Sequence, residues 1–416
     1  MPPFRENRFD FDFKVDKLRA VKSVELFAGG GGLLLGHALA GFEHVMAAEW
    51  NKWACSTLRQ NIHEGYPLVK DLEVFEGDVR TIDWSDRRFQ DIDLVAGGPP
   101  CQPFSMGGKA RAAEDPRDMF PAMTNAIAEL KPRAFIVENV KGLTRTAFHD
   151  YFSFIRLRLS YPLVQALPGE SWTSHYERLQ RVHTSGGSKD LEYRLVDTVV
   201  NAADYGVPQH RHRVFLVGFR SDVSAGWSFP KPTHSGLALK DSQTNGEYWD
   251  RHEVPLSERA VITRVGKGDA SLKPWLTVRD ALRTIPEPLA DGTPEWLDHK
   301  FQPGARIYPG HTGSYIDEPS KALKAGAHGV PGGENMIRFP DGTVRYFSIR
   351  EAARIQTFPD GYALHGAWGE AMRQLGNAVP VQLARVISES VAEHLAFDSG
   401  IRKQNSGENS LLEAIV

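Results

Sequence analysis

The side chain best placed for covalent chemistry is Cys101, in the stretch DLVAGGPPCQPFSMGGK (93–109). The apolar run Leu94-Val95-Ala96 predicts a short strand, which Gly97, Gly98, Pro99 and Pro100 end. Proline fixes φ and donates no backbone hydrogen bond, so the chain leaves the sheet as a stiff, extended loop. A cysteine there lies just past the carboxyl end of a strand, where open α/β sheets bind their ligands. Pro-Pro-Cys-Gln-Pro is a poor core sequence, so Cys101 is read as a presented nucleophile rather than a small buried hydrophobe. The reactive species is the thiolate, which needs electropositive surroundings and works through a covalent intermediate. Cys55, the only other cysteine, falls on a helical repeat and is read as core.

Four further groups have chemistry to offer. Glu138 ends the apolar run 134–137 as Glu138-Asn139-Val140. A carboxylate there either reaches solvent or, if enclosed, has its pKa raised by desolvation and becomes a proton donor. Arg211 and Arg213 alternate with His210 and His212, so on an extended chain both arginines point one way and suit an anion or a pair of carbonyls. The two histidines match no zinc spacing, and no metal site is expected. Gly29 to Gly32 follow a strand at Ser23–Phe27, and Glu49 lies twenty residues beyond the first glycine. Such a turn lets a cofactor approach the backbone, and the carboxylate suits ribose hydroxyls. The last position of a G-x-G-x-x-G pattern falls on Leu34, which disfavours a dinucleotide and leaves a single adenosine ligand, such as S-adenosylmethionine, open. Asp78, in Gly77-Asp78-Val79 at the expected end of a third strand, is available to an adenine amino group.

The elements that must position these groups read as an α/β chain. Ala54, Leu58 and Ile62 mark a helix, and Phe120, Met123, Ile127 and Leu130 another that stops at Pro132. Strands are expected at 44–49, 134–137, 195–201 and 214–219. The segment Phe148–Arg194 reads as an insertion between two sheet elements, helical in parts. Pro230-Lys231-Pro232 reads as a linker. Beyond it, basic residues (Arg259, Arg264, Lys267, Lys273, Arg279, Arg283) interleave with Trp249, Trp275 and Trp296, a mixture that suits nucleic acid or a plain solvated surface. Ser348–Phe358 predicts a helix stopped by Pro359. Gln374–Pro380 predicts a loop entering a helix, with Asn377 as its N-cap and Leu383, Val386, Ile387 and Val391 as its apolar face. The 416 residues allow two domains, and 41% hydrophobic with 24% charged residues is an ordinary globular balance. A net charge of −3 confines any nucleic-acid contact to local basic faces. Two cysteines suit a reducing cytosol. No apolar run is long enough to cross a membrane, and the charged first residues read as a short arm rather than a signal peptide.

Taken in order, these motifs resemble the DNA (cytosine-5)-methyltransferase family across nearly the whole chain. Phe27-Ala28-Gly29-Gly30-Gly31-Gly32 looks like its cofactor loop. Gly97–Ser105 resembles its Pro-Cys-Gln nucleophile loop, and Glu138-Asn139-Val140 its Glu-Asn-Val motif. Gln209–Arg213 matches Gln-x-Arg-x-Arg, and Ser348–Pro359 and Gln374–Val379 resemble the last two motifs. The family often has Gly-Phe or similar before Pro-Cys, where this chain has Gly-Gly-Pro-Pro-Cys, and compact members lack most of 148–194.

The resemblance implies a methyltransferase-type, Rossmann-like, mostly parallel sheet with helices on both faces, plus a smaller target-recognition domain. It divides the chain into a catalytic domain (1–230), a recognition domain (231–348), a hinge (349–375) and a C-terminal helix returning to the catalytic domain (376–416). It implies S-adenosylmethionine as methyl donor, S-adenosylhomocysteine as product, no metal, and a flipped-out cytosine in double-stranded DNA as substrate. Catalysis would fall to Cys101, Glu138, Arg211 and Arg213. Cofactor contacts would come from Phe27, Ala28, Gly29, Gly31, Gly32, Leu33, Glu49, Trp50, Asp78, Val79, Pro99, Asn377, Ala378 and Val379. Substrate contacts would come from Pro100, Gln102, Ser105, Asn139 and Val140. A bacterial cytosolic monomer with a companion restriction endonuclease and no membrane partner is the implied setting. The alternatives are an RNA cytosine-5 methyltransferase and a catalytically silent DNA-binding module.

Overall fold

The computed structural model describes residues 21–100, 118–188, 190–223, 225–260, 268–325 and 333–398. Cys101, Gln102 and Ser105 lie outside the described residues. So do the first twenty residues and 399–416.

Seven strands form the central sheet: β1 (Val21–Leu26), β2 (Phe42–Glu49), β3 (Glu73–Glu76), β4 (Leu94–Gly97), β5 (Ala134–Val140), β6 (Tyr193–Asn201) and β7 (His212–Arg220). Their spatial order is β3-β2-β1-β4-β5-β7-β6. All neighbours pair in parallel except β7, which runs antiparallel to both β5 and β6. The strands are continuous apolar runs because both faces are covered. Val95, Phe135, Val137, Val214 and Leu216 pack on one side, under α3 (Phe120–Leu130), α4 (His149–Ser160) and α5 (Trp172–Thr184). Leu94, Ala96, Ala134, Ile136, Phe215 and Val217 alternate with them and pack on the other side, under α1 (Gly32–Leu39) and α11 (Val381–Asp398). α2 (Lys52–His63) connects β2 to β3 and starts on Asn51, whose side chain accepts from the amides of Trp53 and Ala54 at 2.9 and 3.2 Å.

The strand order reverses between β1 and β4, so the loops after these strands diverge and leave a crevice at their carboxyl ends. The glycine loop and the loop toward Cys101 are those two loops. The C-terminal helix closes one wall. A Cβ on Gly36 of α1 would lie 2.3 Å from the Cβ of Ala384, and one on Gly32 would lie 2.3 Å from the Val379 carbonyl oxygen. Gly36→Ala is therefore expected to cost about 1–3 kcal/mol by overpacking and to lower the melting temperature. An unchanged melting curve would show that α11 does not seat on α1 in solution.

Between β7 and residue 348 the described residues form only short elements. These are β8 (His234–Ser235), α6 (Gly236–Thr244), α7 (Glu247–Arg251), β9 (Lys273–Pro274), α8 (Val278–Leu282), β10 (Ser314–Tyr315), β11 (Met336–Arg338) and β12 (Val344–Tyr346). Leu239, Tyr248, Trp249 and Val254 make a small core of their own. Val278, Leu323, Ile337 and Phe347 instead join the cluster that contains Ala28 and Leu58. The same cluster takes in α9 (Ile349–Ile355), which begins on a Ser348–Glu351 capping box, and α10 (Trp368–Asn377). Residues 374–377 were expected as a loop, with Asn377 capping the following helix. They are instead the last turn of α10, and the break comes at Ala378–Pro380. The physical reason is Gln374, which is buried in that turn and accepts from the Thr57 hydroxyl at 2.7 Å; a tertiary partner overrides the local loop signal.

Candidate active site

Four strand ends converge on the crevice. After β1 the chain turns with Phe27 in the left-handed region (φ 59°), followed by Gly29 (φ 55°) and Gly31 (φ 92°). A Cβ on Gly29 would meet nothing within 4 Å, so this glycine borders open space. Gly31 could not carry one, because it would lie 2.9 Å from the Tyr362 hydroxyl. That hydroxyl donates to the Gly30 carbonyl at 3.0 Å, fixing the loop from behind. The Glu49 carboxylate fixes it from the front. Oε2 accepts from the Gly29 amide at 2.7 Å, and Oε1 accepts from the amides of Trp50 and Asn51 at 2.8 and 2.7 Å. Oε2 retains a lone pair for a hydroxyl group. Beside it, Trp50 is 68% exposed, an open ring face in a position where most tryptophans would be covered. Asp78 receives the Arg80 guanidinium on both oxygens, and that pairing, first of all, lowers its pKa. Val79 is buried behind it. Ala28, Leu33, Ala378 and Val379 are buried around the loop and pack against the sheet and helices.

A buried carboxylate lies across the crevice. Glu138 sits near the end of β5, buried, with its Oε1 2.6 Å from Arg213 Nε of β7. The antiparallel pairing of β5 with β7 makes this possible, because Glu138 aligns with Phe215 and Arg213 aligns with Val140 two residues along. Burial pushes the Glu138 pKa up, and Arg213 and then Arg211 oppose the rise. A Cβ on Gly98 would lie 2.9 Å from Glu138 Oε2, so the glycine lets the loop toward Cys101 run directly over the carboxylate. Asn139 donates from Nδ2 to the Pro99 carbonyl at 3.0 Å, and its Oδ1 accepts from the Val140 amide at 2.9 Å. Both ends of its side chain are engaged, and it acts by holding the loop. Pro99 is buried, while Pro100 and Val140 are exposed.

The expectation that Arg211 and Arg213 share one target is corrected. β7 begins at His212, and Arg211 lies before it, fully buried. Its guanidinium donates to the carbonyls of Leu323 and Gly376 at 3.1 and 2.6 Å. Gln209 supports the same strap: Oε1 accepts from the Leu323 amide, and Nε2 donates to Gln356. Arg211 therefore positions segment 320–325 against α10, and only Arg213 faces Glu138. His210 packs edge-on to Trp275 and His212 is exposed, an arrangement unlike a ligand pair.

Sequence reading gave no role to Tyr362, Gln374 or Thr57, because each meets the glycine loop or its support across some 300 residues of chain. It also missed a cluster that β1, α1 and β2 bring together, in which Glu25 and His37 are buried and His44 is half-buried. Glu25 of β1, His37 of α1 and His44 of β2 each offer a ligand atom within 4.8 Å of the others. Burial pushes Glu25 up to about 8, His37 down to about 3 and His44 down to about 4.

The family model for C-5 cytosine-specific DNA methylases matches residues 21–159 and 188–393. The unmatched stretch, 160–187, is narrower than the expected insertion and consists of α5 with its approach; α4 belongs to the matched part. The chain is 32% identical over 392 residues to the Type II methyltransferase M.PspPI of Psychrobacter sp., covering 92% of this chain and 82% of that one. It is 33% identical over 380 residues to M.Eco47II of Escherichia coli (89% and 79%), and 26% identical over 393 residues to M.HhaI of Haemophilus parahaemolyticus (93% and 98%). Among solved structures, the Dnmt2 methyltransferase of S. pombe superposes with a TM-score of 0.52 at 17% identity, covering 90% of this chain and 98% of that one. A DNMT2 variant of Spodoptera frugiperda gives 0.53 at 16%, covering 90% and 99%. Both are likenesses of fold.

Proposed function

The chain belongs to the C-5 cytosine-specific DNA methylase family, and from that premise we propose how its residues carry out the reaction. It is a DNA (cytosine-5)-methyltransferase. The observation that carries the residue assignment is the buried Glu138–Arg213 pair lying under Gly98, on the loop that leads into Cys101. Carbon 5 of cytosine is a poor nucleophile while the ring is aromatic. The Cys101 thiolate adds to C6 and pushes an electron pair into the ring, which makes C5 enamine-like. Glu138 holds a proton at N3 and so stabilises the charge that the ring accepts. Arg213 keeps the carboxyl group oriented and faces the same position. After methyl transfer, loss of the C5 proton and departure of Cys101 restore the ring. The base must be out of the duplex for a side chain to reach C6.

Enzymes of this family take their methyl group from S-adenosylmethionine, whose sulfonium supplies an electrophilic methyl. The open edge at Gly29, the Glu49 carboxylate and the uncovered Trp50 ring fit its adenosine half. Glu49 would accept from the ribose, Trp50 would stack on the adenine and Asp78 would accept from its amino group. Phe27, Ala28, Gly31, Gly32, Leu33, Val79, Pro99, Asn377, Ala378 and Val379 would shape the surrounding wall. No step at the reacting atoms needs a metal.

Residues 231–348 are proposed to read the target sequence as a recognition domain, with 349–375 as hinge. Grafting 231–348 onto a related catalytic domain is expected to carry the sequence preference with it, because base-edge readout belongs to the groove-facing element. A preference that stays with the recipient would overturn the assignment. The relatives' designation as Type II methyltransferases supports a companion restriction endonuclease. We place the enzyme in the cytosol, working as a monomer on duplex DNA; among the described residues no helix is long and apolar enough to cross a membrane. Bisulfite sequencing of DNA from cells expressing the chain tests the activity and reports the target. Transfer to RNA but not DNA would favour an RNA methyltransferase, and absence of transfer to either a silent binding module.

A further inference from the structure

The cluster of Glu25, His37 and His44 takes no part in the chemistry above. Glu25 Oε2 lies 3.1 Å from His37 Nδ1, and both side chains are shut off from solvent. Nδ1 is thus the His37 nitrogen that would bind an ion beside Glu25; Nε2, on the far side of the ring, is buried with no hydrogen-bond partner and faces away from the site. His44 donates from Nε2 to the Leu34 carbonyl at 2.9 Å. That leaves its Nδ1 as the lone-pair nitrogen, turned toward the Ser23 hydroxyl at 2.9 Å. A histidine whose far nitrogen is fixed on a backbone carbonyl has the arrangement in which metal-binding imidazoles are held. The Ser23 hydroxyl has a second acceptor in the Glu43 carbonyl at 3.4 Å, so it can release His44 without being orphaned. The two rings lie 5.8 Å apart, and Phe42 packs edge-on to His37 and closes the site on its apolar side.

We propose that Glu25, His37 and His44 form a structural site for a divalent ion of the zinc class. Two imidazoles and one carboxylate are borderline donors that suit zinc, cobalt or nickel rather than calcium or magnesium. In a tetrahedral site with metal–ligand bonds of ~2.0–2.2 Å, neighbouring donors stand about 3.3 Å apart. The His37–Glu25 separation already has that value within a few tenths of an ångström, and Ser23 supplies an oxygen for the fourth position. The three ligands come from β1, α1 and β2, so the ion would pin together the elements from which the glycine loop and Glu49 project. Its role is to hold the cofactor cradle in shape and not to touch the reacting atoms. The sequence concealed this site: the ligands are 12 and 7 residues apart on three different elements, a spacing that matches no zinc pattern.

The test uses the full chain. It is expressed in zinc-supplemented medium, freed of loose metal on a chelating resin, and measured by plasma mass spectrometry alongside His37→Leu and His44→Phe. The wild type is expected to hold about one zinc per chain and the variants less than about a tenth. Refolding in Co2+ is expected to give the visible absorption of a four-coordinate imidazole-bound ion in the wild type, and in the double variant Cys55→Ser, Cys101→Ser, which excludes thiolate ligation. Should the histidine variants fail to fold, the cobalt spectrum decides alone. Wild-type protein that carries no stoichiometric zinc, and shows neither a cobalt band nor a rise in melting temperature on adding zinc, would overturn the proposal.

Discussion

Cys101→Ser is expected to abolish methyl transfer while leaving binding of S-adenosylmethionine near its wild-type strength. A serine hydroxyl is far less ionised than a thiol at neutral pH and is the weaker nucleophile. The loss should reach at least about 10³-fold in turnover, equivalent to roughly 4 kcal/mol of transition-state stabilisation. Cofactor binding should survive because the groups that would hold the adenosine half, Glu49 and Trp50, lie at the end of β2 on the opposite side of the crevice from β5 and Glu138. The measurements are a tritium methyl-transfer assay under saturating cofactor and calorimetric titration of S-adenosylmethionine. Turnover above a few per cent of wild type would remove Cys101 from the mechanism. Cys55→Ser is the control. Cys55 is buried in α2, and burial pushes its thiol up to about 12, so its loss should leave turnover unchanged.

A duplex carrying 5-fluorocytosine at the target should convert the enzyme into a stable covalent adduct. After methyl transfer the fluorine cannot leave as a cation, so elimination of the cysteine is blocked. The adduct should survive denaturation, require S-adenosylmethionine and map by mass spectrometry to the peptide carrying Cys101. Glu138→Gln should slow its formation by about 10²-fold or more, because an amide cannot give N3 a proton. The pH dependence gives an independent reading. Burial raises the Glu138 pKa, with Arg213 and Arg211 opposing the rise, so the protonated fraction falls as pH rises through that raised value. The thiolate fraction of Cys101 rises over the same direction of pH. Wild type should therefore show a rising and a falling limb in the rate of adduct formation, and Glu138→Gln should keep the first and lose the second. Attachment at Cys55, or turnover of the fluorinated duplex with no adduct, would refute the covalent route.

The sequence alone determined which local pieces exist. Apolar runs bounded by glycine and proline marked β1, β4, β5 and β7 to within a few residues, because strand and turn signals depend on a residue and its near neighbours. The Gly29–Gly32 turn, Glu49 and Glu138 were legible for the same reason: each motif is continuous, and its chemistry follows from residue type and its place at a strand end. The tertiary structure decided whatever depends on partners far away in the chain. Arg211 and Arg213 look equivalent two residues apart, yet one is taken by the carbonyls of Leu323 and Gly376 and the other by Glu138, which only the antiparallel placement of β7 beside β5 brings within reach. Asn377 looked like a cap and is the end of a helix, held by a hydrogen bond between Gln374 and Thr57. Glu25, His37 and His44 carry no common pattern in the sequence and become a cluster only where β1, β2 and α1 pack. Short-range steric and hydrogen-bonding preferences write the first kind of information into consecutive residues. The second kind exists only once burial has chosen which distant groups must satisfy one another.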